Sequence, residues 1–173
     1  MKHSIIKGDI FKYAREGAFN LLVHGCNTQS LMKSGIAVDM VKLFSCNTFD
    51  LELQGEDINK LGMIDYEEFW VSPQEIISYD SQPDYPSHHL IVINAYTQAF
   101  PRIPLTGNIP LDYEALTLCF RKINYAFPQY TLGIPYMIGC GKAKGNIDTV
   151  KNIILKECSD LKEILFYDNN TSK

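Results

Sequence analysis

Apolar residues in this chain follow two alternating patterns. Short unbroken runs end in small or polar residues, and between them lie stretches where apolar residues recur every three or four positions. The first pattern marks strands and the second amphipathic helices. Residues 3–11 alternate around Ile5, Ile6, Ile10 and Phe11, which predicts a first strand interrupted by the turn residues Gly8 and Asp9. Residues 21–24 form a second strand, whose end runs into the polar quartet His24, Gly25, Cys26, Asn27 and a small-residue loop. A helix is predicted over 35–44, with Ile36, Met40, Val41 and Phe44 at helical spacing. Residues 45–60, where Leu51 and Leu53 stand among polar neighbours, read as helical or irregular. Two short β-like runs follow at 62–66 and 69–71, then a third around 76–79.

Residues 81–89 are a loop on their Pro and Ser content, and the His88-His89 pair falls in it. The next segment, 90–98, carries the clearest buried-strand signal. Its four consecutive apolar residues, Leu90 to Ile93, suit a strand covered on both faces. It too ends in polar residues, Asn94, Thr97 and Gln98. Three prolines and a glycine make 99–111 a long loop, a kind that is more often functional than idle. Asp112 is a candidate N-cap for a helix over 112–127 with Tyr113, Leu116, Phe120 and Ile123 on one face. A strand at 131–138 leads into Gly139-Cys140-Gly141-Lys142-Ala143-Lys144-Gly145. Asn146 or Asp148 then caps a helix carrying Val150, Ile153 and Ile154, with Leu161 beyond its end, and a last strand occupies 164–167. Strands alternating with helices predict an α/β sandwich on a mostly parallel sheet.

Composition narrows the function classes. The 173 residues suit one domain, taken as 1–173, with 46% hydrophobic and 21% charged residues. A net charge of −4 gives no broad cationic face, which argues against a nucleic-acid partner while leaving room for a local cationic pocket. The five scattered cysteines form no CxxC pair and no zinc spacing, so they read as reduced thiols, with no metal site and no cofactor implied. No stretch approaches the roughly 20 apolar residues that cross a bilayer, so the expectation is a cytoplasmic protein without a membrane partner.

Three segments leaving strand ends carry the candidate chemistry: Gly8-Asp9, residues 24–37, and residues 139–145. Small residues ahead of a helix let backbone N–H groups approach an anion, and a glycine-rich strand-to-helix loop with two lysines can cradle a phosphate. A tight turn has the same composition, and the segment matches neither the Walker lysine motif nor GxGxxG.

Taken together, GDI at 8–10, VHGCN at 23–27, SGIA at 34–37 and IPYMIGCGKAKGNIDTV at 134–150 resemble the signature of the macro domain, an ADP-ribose-binding module. The resemblance covers most of the chain, and it is closest to the branch of ADP-ribose 1''-phosphate phosphatases and the small phage and bacterial proteins related to them. It implies a three-layer α/β/α sandwich with a mixed, mostly parallel central sheet, in the host cytoplasm if the chain is phage-encoded. It also implies a small-molecule ligand, ADP-ribose or its 1''-phosphate. Asp9 would accept from the adenine amino group, beside Gly8 and the Ile10 backbone; an exposed turn aspartate is the alternative. Asn27 would bind the distal ribose and serve catalysis, the alternative being a turn-forming side chain. Ser34, Gly35, Ile36 and Ala37 would present N–H groups to the diphosphate. Gly139, Cys140, Gly141, Lys142, Ala143, Lys144 and Gly145 would close over it. Tyr167 would pack on adenine or serve as a core tyrosine.

His24 reads either as an acid/base group near the distal ribose or as a satisfied core residue. Cys26 and Cys140 have no base beside them in sequence and read as packing residues. Many relatives carry glycine where this chain has Lys33 and Lys144, and an aspartate-tryptophan pair at Asn146-Ile147. The branch that removes ADP-ribose from glutamate needs an aspartate nearest Ala143, which disfavours that activity. The expected reaction is hydrolysis of ADP-ribose 1''-phosphate to ADP-ribose and phosphate. Non-catalytic ADP-ribose binding, or ADP-ribosyl hydrolysis on protein or nucleic acid, are the alternatives.

Overall fold

The computed structural model describes residues 2–49 and 56–170. In chain order it runs β1 (Lys2–Lys7), α1 (Ile10–Arg15), β2 (Leu21–Asn27), α2 (Ile36–Phe44), β3 (Ile64–Val71), β4 (Ile76–Ser78), β5 (His88–Gln98), α3 (Tyr113–Ala126), β6 (Thr131–Pro135), α4 (Ile147–Glu157) and β7 (Glu163–Asp168). The strands form a seven-stranded sheet in the order β1-β7-β6-β2-β5-β3-β4. Pairing is parallel from β1 to β5 and antiparallel for β5 with β3 and β3 with β4.

The period-2 geometry of strands divides the core into two halves. Leu21 and Val23 of β2, with Ile91 and Ile93 of β5, face α3 and α4, where they meet Leu116, Phe120, Ile123, Val150 and Ile154. Leu22, Leu90 and Val92 face the other way, against Ile10 and Ala14 of α1 and Met40 and Phe44 of α2. This double burial explains why β5 reads as an unbroken apolar run.

Several boundaries differ from expectation. Ile10 and Phe11 are helical, because the Asp9 side chain accepts from the Phe11 N–H at 2.9 Å and caps α1. A cap decides against alternation that spans only a few residues. The runs at 62–66 and 69–71 are one strand, since β3 pairs with β5 continuously from Ile64 to Val71 and its interrupting glutamates stay in register. His88 and His89 belong to β5, paired with Val71 and Trp70, and are not in a loop. The sixth strand stops at Pro135, beyond which the Ile138 N–H donates to the Pro135 carbonyl in a turn. Between α2 and β3 lie short 3-10 turns, Cys46–Thr48 and Ile58–Lys60. Leu51 and Leu53 lie outside the described residues.

Gly133 of β6 packs directly on Phe19, and a Cβ there would sit 2.6 Å from the ring. Phe19 is 2% exposed and packs at a tilt on Tyr167 with ring centroids 5.4 Å apart, so it has nowhere to retreat. Gly133→Ala should therefore destabilise the fold by about 1–3 kcal/mol. Urea unfolding would read this as a lowered midpoint at unchanged m-value.

Candidate functional site

The site originates in a short ladder. β2 and β6 pair only through Leu21 with Leu132 and Leu22 with Gly133, whereas β2 stays paired with β5 along its full length. Beyond those two rungs β2 and β6 diverge. The helix that leaves β2 packs on one face of the sheet, and the helix that leaves β6 packs on the other. Such a switch point opens a crevice at the carboxyl ends of the strands. Here it is a cavity of about 450 Å³, floored by Gly25, Cys26 and Asn27. Its walls are Ser34 to Ala37 at the start of α2, the segment Pro135 to Ala143 without Cys140, Thr97 and Gln98 at the end of β5 with Pro101 and Arg102 beyond it, and Tyr167 and Asp168 at the end of β7 with Asn169 and Asn170 beyond it.

Two sets of backbone N–H groups line this cavity. Side chains cap α1, α3 and α4 through Asp9, Asp112 and Asn146, but α2 has no side-chain cap. Of its first-turn N–H groups, that of Val38 donates to the Gly35 carbonyl at 3.3 Å, while those of Ile36 and Ala37 make no hydrogen bond among the described residues. At its N-cap, Gly35 adopts φ 62° and ψ −149°, a conformation essentially reserved for glycine. The second set belongs to residues 139–145. That loop is closed by Gly145 N–H donating to the Gly139 carbonyl at 2.8 Å and Lys144 N–H donating to the Gly141 carbonyl at 3.0 Å. The N–H groups of Gly141, Lys142 and Ala143 make no hydrogen bond among the described residues. The loop is fastened to 99–111 by the Leu111 N–H, which donates to the Ala143 carbonyl at 3.1 Å. Uncommitted N–H groups at a helix start and in a glycine-rich loop are groups that can hold an anion.

The remaining sequence candidates are distributed as follows. Asn27 lines the cavity, with its side-chain carbonyl accepting from the Gln29 and Leu31 N–H groups and its amide donating to the Leu31 carbonyl at 2.9 Å. One amide hydrogen stays uncommitted. Ser34, Gly35, Ile36, Ala37, Gly139, Gly141, Lys142, Ala143 and Tyr167 line the same cavity; Cys140, Lys144, Gly145, Gly8 and Ile10 do not. Asp9 lies on a second cleft that shares Asn169 with the first. Tyr167 is 2% exposed and packs on Tyr13 and Phe19. Its hydroxyl is sealed in the wall without a partner among the described residues, and burial raises its pKa.

His24 stays outside the cavity, fully buried. Its Nε2 lies 2.6 Å from Asn94 Oδ1. The Asn94 amide donates to the Cys46 carbonyl at 2.8 Å and to Asp65 Oδ1 at 2.7 Å, so Nε2 carries the proton. Tyr96 donates to the other Asp65 oxygen at 2.7 Å. Burial lowers the His24 pKa to about 4 against the opposing effect of the Asn94 bond, and the ring is neutral at neutral pH. Burial also pushes the Cys26 and Cys140 thiols up, which keeps both protonated and poorly nucleophilic.

Sequence reasoning missed Arg102, Asp168 and the two asparagines after it, all of which line the cavity. The only prior signal for Arg102 was a lone cation inside a proline-rich loop. Among the described residues no three His, Cys, Asp or Glu side chains converge as a metal would require. No helix among them is long and apolar enough to cross a membrane.

Comparison with known proteins places this geometry. No family model matches the chain. Among solved structures, a macrodomain protein from Streptomyces coelicolor has TM-score 0.62 and 16% identity over 98% of this chain and 100% of its own. A protein of unknown function from Bacteroides thetaiotaomicron has TM-score 0.68 and 19% identity over 97% and 99%. Thermosipho africanus DarTG, solved in complex with ADP-ribose, has TM-score 0.67 and 14% identity over 97% of this chain and 42% of its own. The chain is a macrodomain by fold. It belongs to the same family as the "Uncharacterized 17.5 kDa protein in tk-vs intergenic region" of Enterobacteria phage T4, to which it is 31% identical over 170 residues, 94% of each protein.

The His24 shift makes stability pH-dependent. The unfolded chain takes up the proton near the ordinary value of 6.5, the folded chain only near 4, so acid favours unfolding within that window. Lowering the pH from 7 to 4 should cost wild type on the order of 3 kcal/mol through this group. His24→Gln, which keeps an N–H donor for Asn94, should lose that component in urea titrations at the two pH values.

Proposed function

We propose that this macrodomain, a single domain over residues 1–173, binds ADP-ribose derivatives and hydrolyses ADP-ribose 1''-phosphate to ADP-ribose and phosphate. The observation that carries the reading is the cavity between two uncommitted N–H sets, at the α2 N-terminus and at Gly141 to Ala143. Its fit to a diphosphate is supported by the similarity to DarTG, solved with ADP-ribose. In this reading the adenosine lies toward β7, beside Tyr167 and the Asp9 cleft. The diphosphate lies between the N–H sets and the distal ribose over Asn27. Water attacks the terminal phosphorus, the bond from phosphorus to the oxygen on C1'' breaks, that oxygen takes up the proton the water gives up and leaves as the ribose 1''-hydroxyl, and the Lys142 ammonium and loop N–H groups hold the charge that develops. Preorganised donors of this kind supply a large share of catalysis in water-excluded sites. Residence in the cytoplasm fits a protein whose ligand derives from NAD.

A second reading, binding without turnover, is favoured by one observation. Among the described residues that line the cavity, Asp168 at the β7 end is the one carboxylate, and no histidine reaches it. Incubating the protein with ADP-ribose 1''-phosphate and no added metal should release phosphate. Absence of release at high enzyme concentration, beside calorimetric binding of ADP-ribose, would leave the binding reading standing alone.

Gly141 offers a direct check of the ligand's position. It lines the cavity, its Cβ position has nothing within 4 Å, and its backbone lies outside the left-handed region. Gly141→Glu places a carboxylate where the diphosphate is proposed to lie, without strain. ADP-ribose affinity should fall at least about tenfold, or 1.4 kcal/mol, while the melting temperature stays unchanged.

A further inference from the structure

Arg102 is a cavity-lining cation, and neither the sequence motifs nor the reading above gives it a role. It follows Pro101 in the loop after β5. Its φ of 69° is a left-handed conformation that favours glycine. The residue is exposed, and its guanidinium makes no hydrogen bond or ion pair among the described residues. Asp168, which also lines the cavity, extends from β7. In the strand order β7-β6-β2-β5 the strand that carries Asp168 and the strand that leads to Arg102 lie three steps apart, roughly 14 Å at the usual sheet spacing. The cavity is thus polarised along the sheet, acidic at one end and basic at the other, with both N–H sets between.

A ligand held at its centre by a diphosphate therefore meets Arg102 with the end that lies over β5 and Asn27, since Asn27 and Gln98 are register partners. A neutral sugar hydroxyl there gains little from a guanidinium. A phosphate monoester gains a planar fork of donors matched to its oxygens. We infer that Arg102 is a specificity-determining residue that selects ligands bearing a second anionic group, a phosphate monoester on the distal sugar, over the same nucleoside-diphosphate sugar without it. Lys142, the other cation lining the cavity, approaches from the glycine-rich loop, which is fastened to the Arg102 loop through Leu111 and Ala143. Lys142 supplies a point charge, whereas Arg102 supplies the geometry that recognises the terminal group. This inference rests on the proposed orientation of ADP-ribose in the cavity.

The test is calorimetric titration of wild type, Arg102→Gln, Arg102→Lys and Arg102→Gly with ADP-ribose and with its 1''-phosphonate analogue, which cannot be hydrolysed. Wild type should prefer the phosphonate by about 10- to 100-fold. Arg102→Gln should lose that preference with its ADP-ribose affinity unchanged, and Arg102→Lys should keep part of it. Arg102→Gly should lose the preference while melting no lower than wild type, because glycine suits the left-handed backbone; this separates recognition from folding. A preference that survives in Arg102→Gln, or equal weakening of both ligands, overturns the role of Arg102. Wild type that binds ADP-ribose with no preference for the phosphonate also overturns it and leaves ADP-ribose binding intact. Wild type that binds neither ligand overturns the reading of the cavity itself, and the inference with it.

Discussion

The two-rung ladder between β2 and β6 is the constraint on which the site depends. If those strands stayed paired to their ends, as β2 and β5 do, the sheet would be closed and there would be no crevice. Their divergence follows from the chain's route. α2 packs with α1 beneath one face and α4 packs with α3 on the other, so the segments leaving β2 and β6 separate to opposite sides of the sheet. Gly133, in the last rung, packs against Phe19, which brings the β6 backbone close to the ring that also supports Tyr167. The cavity is thus a consequence of strand order and of one close contact.

Hydrogen-bond accounting makes that gap a chemical site. A helix end without a partner leaves several N–H groups to be satisfied, and three of the four α-helices among the described residues satisfy part of that need with an aspartate or asparagine. At α2 a glycine stands in the capping position, and the space beside it is open. The loop after β6 divides its own groups differently. Its outer N–H groups close the turn, and the three between face no protein acceptor. The protein is acidic overall, so the positive character of this cavity is local, made from backbone dipoles with Arg102 and Lys142 added.

Much of this was legible in the sequence, because the informative signals were local. The double-faced burial of β5 showed as an unbroken apolar run, and the cap Asp112 stood where helical spacing began, as did the pair Asn146 or Asp148, of which Asn146 is the cap. The segments at 34–37 and 139–145, most of whose residues line the cavity, stood out by their small residues. What was missed depends on tertiary placement. α1 is too short to show a period, and only its Asp9 cap marks it. Glu67 and Glu68 broke the apolar pattern of β3 while its ladder ran on. Arg102 and Asp168 reach the cavity from segments nearly seventy residues apart, and no spacing rule connects them.

His24 was the residue whose sequence reading stayed open, and its surroundings give it a structural task. His24 and Asn94 are register partners on β2 and β5, and Asn94 and Asp65 are partners on β5 and β3. The three side chains therefore form a polar rung across three adjacent strands at one level, with hydrogen bonds of 2.6 and 2.7 Å between neighbours. A buried rung of this kind is a costly way to gain stability, since apolar groups of the same volume would pack without desolvating an imidazole or an amide. Its value lies in register. Slipping any of the three strands by one residue would put a carboxylate, an amide or an imidazole against apolar neighbours, and the penalty for unpaired buried groups would oppose the slip. That register holds as far as Cys26 opposite Tyr96; a one-residue shift then sets Asn27 opposite Gln98, so the rung and the shift together place the floor of the cavity. His24 acts on the site by holding the strands that build it.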